Sequence, residues 1–246
     1  ARVVMLQGGD AETLRLWQLL VGLSTKHFNA VYERLGVLLV DDDPMGESAY
    51  NELLPQVNTR LDALGILQQS DGADVVFPPG YTNRDGEPLP LIVQKGTGGF
   101  NYATSDLACV IDRIERLNAD LLLYVVGAPQ AQHLSMVFDV ARMAGWLAEP
   151  AQVVHIAFGS VLGSDRKMLK SRSGEPLKFI DLLDEALVRA EASVAEKNPD
   201  LGVEDRLTIA RQVGIGAVKY ADLSTDRVRD YVFDWDRMLS FDGNTA

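Results

Sequence analysis

DLLLYVVGAPQAQHLSMVFDVARMAGWL, residues 120–147, and VVHIAFGSVLG, residues 153–163, carry the pattern that decides the fold class. Residues 121–126 are an unbroken apolar run of the length of a strand, and such runs are expected in strands buried on both faces. PQAQHLSMVFDVARMAGWL then reads as a helix, and VVHIAF as a second buried strand. Ahead of both, GTGGFNYATSD (96–106) is a glycine-rich loop running into LACVIDRIERLNA (107–119). There Leu107, Val110, Ile111, Ile114 and Leu117 form one helical stripe. Helix, strand, helix and strand at these lengths predict an α/β fold on a parallel sheet. Ligands of such sheets sit outside the carboxyl ends of the strands, so Gly127, Ala128, Pro129, Gln130 and Gly159 are expected to line the mouth.

Working outward, residues 11–35 read as an amphipathic helix with Leu14, Trp17, Leu20, Val21, Ser24, Phe28 and Val31 on one face. Asp10 is the expected N-cap and Gly36 the stop. From about Val37 to Gln94 the texture changes. A short apolar strand, VLLV (37–40), precedes three aspartates (41–43) read as a solvated turn or helix entry. A helix is expected from about Tyr50 to Leu64, then two strands around Asp71-Gly72 and a further turn at Asp85-Gly86 before LPLIVQ. This predicts a small antiparallel insertion. From Leu177 onward the chain reads as helical, FIDLLDEALVRAEASVAEK followed by VEDRLTIARQVGIGAVKYADL. The expected division is 1–36 (helical part of a core), 37–95 (insertion), 96–176 (α/β part) and 177–246 (helical region).

Composition narrows the function classes. Of the 246 residues, 47% are apolar and 24% charged, the mixture of a globular protein. No apolar run approaches the ~20 residues of a membrane span, and no signal peptide is read at the N-terminus. A single cysteine, Cys109, excludes an internal disulfide, and a cytoplasmic location is expected. The net charge of −12 argues against non-specific coating of nucleic acid. Between Arg166 and Lys178, however, five cations (Arg166, Lys167, Lys170, Arg172 and Lys178) accompany one acid, Glu175.

At the predicted mouth, Tyr102 lies four residues before Asp106, which is read in the first turn of its helix, and Gln130 follows the next strand. A carboxylate, a phenol and an amide converging on one pocket would recognise a cationic ligand rich in hydrogen-bond donors. The alternative is that Asp106 complements the helix dipole and Tyr102 belongs to the core. GTGG lacks the Lys-Ser/Thr ending of a Walker loop. His155, inside a strand, reads as a core histidine; His133, at a helix start, is the more suggestive of the two. RKMLKSRSG (166–174) could embrace a triphosphate and stabilise charge developing in nucleotidyl transfer. No nucleophilic triad stands out.

Taken together, GTGGFNYATSDLA, LLYVVGAPQAQHLSMVF, HIAFGSVLGSDRKMLKSRSG, VGIGAVKYADLSTDRVRDYVFDWDRML and the insertion's NRDGEPLPLIV resemble bacterial arginyl-tRNA synthetases over nearly the whole chain. The resemblance implies a Rossmann-like class I synthetase catalytic domain, present in part, with a small α+β insertion and a helical C-terminal segment. It implies that Tyr102, Asp106 and Gln130 hold the arginine side chain, with Asp106 facing the guanidinium. His155, Phe158 and Gly159 would fall at the adenine. Leu169 to Gly174 would form the mobile signature loop, with Leu169, Ser171 and Gly174 at ATP and Lys170 and Arg172 as the catalytic cations. That loop reads LKSRSG and not the generic KMSKS form. The implied activity is arginine–tRNA ligation. ATP activates L-arginine to an adenylate, with Mg2+ on the phosphates, and the arginyl group passes to tRNA(Arg). No dedicated protein metal site and no membrane are implied, and the full-length form is expected to be monomeric. The HxGH signature is absent, because no two of His27, His133 and His155 are close enough to form it. It is expected ahead of Ala1, so the chain by itself is expected to be inactive. Two other readings stand beside this one: a truncated paralogue that binds arginine or tRNA without chemistry, and an amino-acid-activating enzyme that works without tRNA.

Overall fold

The computed structural model describes residues 2–41, 43–163, 165–167, 179–232 and 234. The chain divides into two compact units, residues 1–27 with 39–156 and residues 28–38 with 157–246.

The first unit opens with helix α1 (Arg2–Gln7) and the first part of α2 (Ala11–Leu35). Asp10 caps α2 as expected, its Oδ1 accepting from Thr13 N at 2.9 Å and from Thr13 Oγ1 at 2.6 Å. Gly36 ends the helix with φ +63°, a conformation open to glycine. The apolar stripe of α2 departs from expectation. Thr13 is its only buried residue, and Leu20 and Phe28 are 62% and 54% exposed. Helical periodicity places residues on a common face without supplying the surface that covers it.

VLLV also departs from expectation. Residues 37–40 form no strand and Leu38 is fully exposed. A strand requires a ladder partner, and this run closes on its own turn instead. Val40 N donates to Asp43 Oδ2 at 2.8 Å and Asp43 N to the Val40 carbonyl at 3.0 Å. The expected helix from Tyr50 is a single 3-10 turn, Glu47–Tyr50, and then α3 (Leu54–Ala63), with Pro55 tolerated in its first turn.

The antiparallel expectation for the insertion holds. Strands β1 (Gln68–Ser70), β2 (Ala73–Val76) and β3 (Leu91–Gln94) form a three-stranded antiparallel sheet. Asp71 and Gly72 make its first turn with φ of +50° and +75°, the two positive values that a two-residue hairpin of this hand requires. The glycine-rich segment after β3 closes on itself. Lys95 N bonds to the Gly99 carbonyl and Gly98 N to the Lys95 carbonyl. Gly96 passes so close to β2's turn that a Cβ would lie 2.6 Å from the Gly72 carbonyl oxygen. The glycines therefore serve a tight turn and a close backbone crossing.

Helix α4 (Tyr102–Ile111) follows, capped by Asn101, whose side chain accepts from Ala103 N at 3.1 Å. Strand β4 (Leu121–Gly127), α5 (Ala131–Met143) and β5 (Gln152–Phe158) complete the α/β part. Gln152 N donates to the Asp120 carbonyl at 2.8 Å, so the two strands start side by side and run parallel. The expectation of double-sided burial fails for β4. Leu122 and Tyr124 are buried, whereas Leu121, Leu123 and Val125 are 50–63% exposed. One face packs on helices and nothing among the described residues covers the other, which an unbroken apolar run cannot reveal. The core of this unit joins α3, β2, β3, α4, β4 and α5. Tyr124 meets the Phe138 ring edge-on at 4.8 Å.

The second unit holds the end of α2, a two-residue strand β6 (Val161–Leu162), α6 (Phe179–Lys197), α7 (Val203–Ser224) and β7 (Tyr231–Val232). Consecutive helices joined by five residues pack as a hairpin. Small residues set their approach, with a Cβ on Gly214 lying 3.0 Å from the Ala186 carbonyl oxygen. Leu182, Leu183 and Val218 fill the seam, and Val31 and Leu35 of α2 pack against it. Strands β6 and β7 are parallel, Val161 opposite Tyr231.

Candidate functional site

Eight of the ten residues of α4 are buried, and the two that are not are Tyr102 and Asp106. Positions i and i+4 stand one above the other on a helix, so these two side chains share the one open stripe of a helix otherwise sunk in the core. Asp106 is the fifth residue of α4, one turn further in than the sequence reading had it, and the first turn carries no acid. The macrodipole acts within the first turn. Dipole complementation therefore does not account for Asp106.

Opposite this stripe stands the first turn of α5. His133 Nε2 lies 2.6 Å from Asp106 Oδ2. The His133 and Tyr102 rings meet edge-on, centroids 4.6 Å apart and planes at 63°. A carboxylate only accepts, so the proton of this bond sits on Nε2. The side chains of His133 and Asp106 are 16% and 30% exposed, while Tyr102 is 61% exposed. Gln130 is exposed at the helix start, three positions before His133, and its side chain does not cap α5. Among the described residues it hydrogen-bonds to none of the other three. The structure thus brings Tyr102 and Asp106 together through His133 and sets Gln130 on the turn that leads to it.

Beneath the stripe the helix is inert. Cys109 is buried beside the Tyr50 hydroxyl at 3.4 Å, and burial pushes its thiol above the ordinary value, the wrong direction for a nucleophile. The Arg113 guanidinium lies over the Tyr124 ring, 4.9 Å from its centroid. Burial raises the Tyr124 hydroxyl well above the usual tyrosine range.

His155 on β5 is half-buried, and its Nε2 donates to the Val126 carbonyl of β4 at 2.9 Å. This bond uses one ring nitrogen, as a structural histidine would. Phe158 ends β5 with 44% of its surface exposed. Gly159 is held by the segment that follows α7. Its N donates to the Arg227 carbonyl at 2.7 Å, and Ser160 N to Asp230 Oδ1 at 2.6 Å. Leu169, Lys170, Ser171, Arg172 and Gly174 lie outside the described residues. No group of three or more metal-binding side chains occurs among the described residues, and none of their helices is long and apolar enough to cross a membrane.

The residue that sequence reasoning left out of the set is His133. Its signal was its place three positions after Gln130, at the start of the helix that leaves β4. Only the packing of α5 on α4 shows what it touches.

Comparison with known proteins gives one consistent result. The family described as class I tRNA synthetases (R), catalytic domain, matches residues 1–235. The arginine–tRNA ligase of Thermobifida fusca is 54% identical over 245 residues, all of this chain and 42% of that protein. The one from Laribacter hongkongensis is 51% identical over 244 residues, 99% of this chain and 43% of that protein. The crystal structure of Plasmodium falciparum arginyl-tRNA synthetase superposes with a TM-score of 0.82 at 28% identity, covering 99% of this chain and 40% of that one. The Thermus thermophilus arginyl-tRNA synthetase shares the fold with a TM-score of 0.66 at 22% identity, over 79% of this chain and 37% of that one.

Proposed function

The chain belongs to the catalytic-domain family of class I arginyl-tRNA synthetases, and we propose that it supplies the arginine-recognising part of an arginine–tRNA ligase. It spans 42–43% of the length of the two bacterial relatives compared, so the activity is proposed for the complete protein. In that reaction the arginine carboxylate attacks the α-phosphate of ATP and releases pyrophosphate. The terminal ribose hydroxyl of tRNA(Arg) then takes the arginyl group. Mg2+ enters with the ATP phosphates as part of the substrate. Catalysis is positioning and charge stabilisation.

Within this reading Asp106 faces the guanidinium, and Tyr102 and Gln130 fix its orientation. His155, Phe158 and Gly159 border the adenine, with Leu169, Ser171 and Gly174 in the following loop. Lys170 and Arg172 meet the charge that develops on phosphate. Residues 37–95 act as an insertion between the parts of the core. The working form is a cytoplasmic monomer.

The observation that carries the proposal is the open stripe of α4. A helix that buries every other residue leaves a carboxylate and a phenol uncovered on one face, a donor–acceptor set suited to a planar cation. The test is calorimetric titration of the chain with L-arginine and with citrulline, its uncharged isostere. Tighter binding of arginine than of citrulline is the expected result. Equal binding of the two would remove Asp106 from the recognition of charge.

A further inference from the structure

We propose that His133 is a positioning residue for arginine recognition, acting through Asp106 and Tyr102 without touching the substrate; this rests on the reading of Asp106 as the guanidinium partner. The first observation is that one imidazole contacts both side chains of the open α4 stripe. Its Nε2 is 2.6 Å from Asp106 Oδ2, and its ring is 4.6 Å from that of Tyr102. The second is that nothing else about its place calls for a histidine. It stands in the first turn of α5, where the helix dipole disfavours a cation, and the N-cap of α5 makes no side-chain bond.

The geometry assigns a division of labour. A carboxylate offers roughly four acceptor positions, and the bond to Nε2 occupies one on Oδ2. The rest stay open to a guanidinium, with the carboxylate held in a single rotamer before the ligand arrives. Side chains fixed in this way bind more tightly because less freedom is lost on association. His133 itself is mostly covered, with 16% of its side chain exposed, so it serves as a fixed wall. Tyr102, at 61% exposure, sets its ring edge-on against that wall.

The test is made in the full-length protein with His133→Ala, His133→Gln, Asp106→Asn and the His133→Ala/Asp106→Asn pair. Dissociation constants are read for arginine and citrulline, and KM for ATP. The expected result is that His133→Ala weakens arginine binding about tenfold, the order seen when a residue orienting a ligand-binding side chain is removed. Citrulline binding and the KM for ATP stay unchanged. His133→Gln, which keeps an N–H at similar reach, recovers most of the loss. In the Asp106→Asn background, His133→Ala adds less than about a twofold effect, because coupled residues are not additive. The proposal is overturned if His133→Ala weakens arginine and citrulline alike, if glutamine fails to rescue, or if the full loss persists without the Asp106 carboxylate. Asp106→Asn separates the two levels. Unchanged arginine affinity in that variant overturns the reading of the site and this proposal with it. A loss there beside a silent His133→Ala overturns the role of His133 alone.

Discussion

Gly159 and Arg229 pass so close that a Cβ on the glycine would lie 2.5 Å from both the carbonyl carbon and the carbonyl oxygen of Arg229. Asp230 N would be 2.7 Å away, and all three contacts are with backbone, which cannot swing aside. The glycine is needed here for space. Around it the crossing is sewn by Gly159 N to the Arg227 carbonyl, Ser160 N to Asp230 Oδ1 and Tyr231 N to the Ser160 carbonyl. Gly159→Ala is therefore expected to destabilise the chain by ~1–3 kcal/mol, the range for overpacking. The midpoint of urea denaturation should fall with no change in slope. A midpoint equal to that of the parent would mean that the turn at 226–230 yields without cost.

Asp106→Asn removes the charge that the proposed function assigns to guanidinium recognition while keeping the shape of the side chain. Truncating one partner of a desolvated charge pair costs ~2–5 kcal/mol. Arginine affinity in the full-length protein should fall by that amount with the affinity for ATP retained. Unchanged arginine affinity would sink the assignment of Asp106.

Asp112 and Arg116 give a dependence on pH that lies outside the site. Arg116 donates to both carboxylate oxygens, at 2.6 and 2.8 Å, and these bonds hold the buried Asp112 carboxyl below its ordinary value of 3.8. The folded chain then binds fewer protons at this group than the unfolded chain. Its contribution is present above the unfolded value and is lost as the pH falls through the folded one. Arg116 is 55% exposed, which screens the pair, so Asp112→Asn should cost about 1 kcal/mol at neutral pH. Denaturation curves of parent and variant should converge as the pH falls below 3.8 and through the lowered folded value. A gap that stayed constant from neutral pH through the acid range would show that packing, and not charge, separates them.

Much of this organisation was legible along the chain because it depends on neighbours in sequence. Asp10 and Gly36 bound α2, Asp71-Gly72 turns β1 into β2, and residues 179–197 and 203–224 are helices within a residue of expectation. Caps, turns and helical stripes are satisfied within a few residues, so a linear reading reaches them. The pairing of Tyr102 with Asp106 was legible for the same reason, as i and i+4 of one helix.

Tertiary structure alone decided the rest. VLLV had the composition of a strand and no partner to pair with. Leu121, Leu123 and Val125 had the hydrophobicity of a buried face and no layer over them among the described residues. His133 lies 27 residues from Asp106, and its role became visible only when α5 packed beside α4. Burial and long-range hydrogen bonds depend on which surfaces meet. Sequence by itself determined the caps, the tight turns and most of the helices of this chain; packing determined which apolar runs would become strands and which polar side chains would face one another.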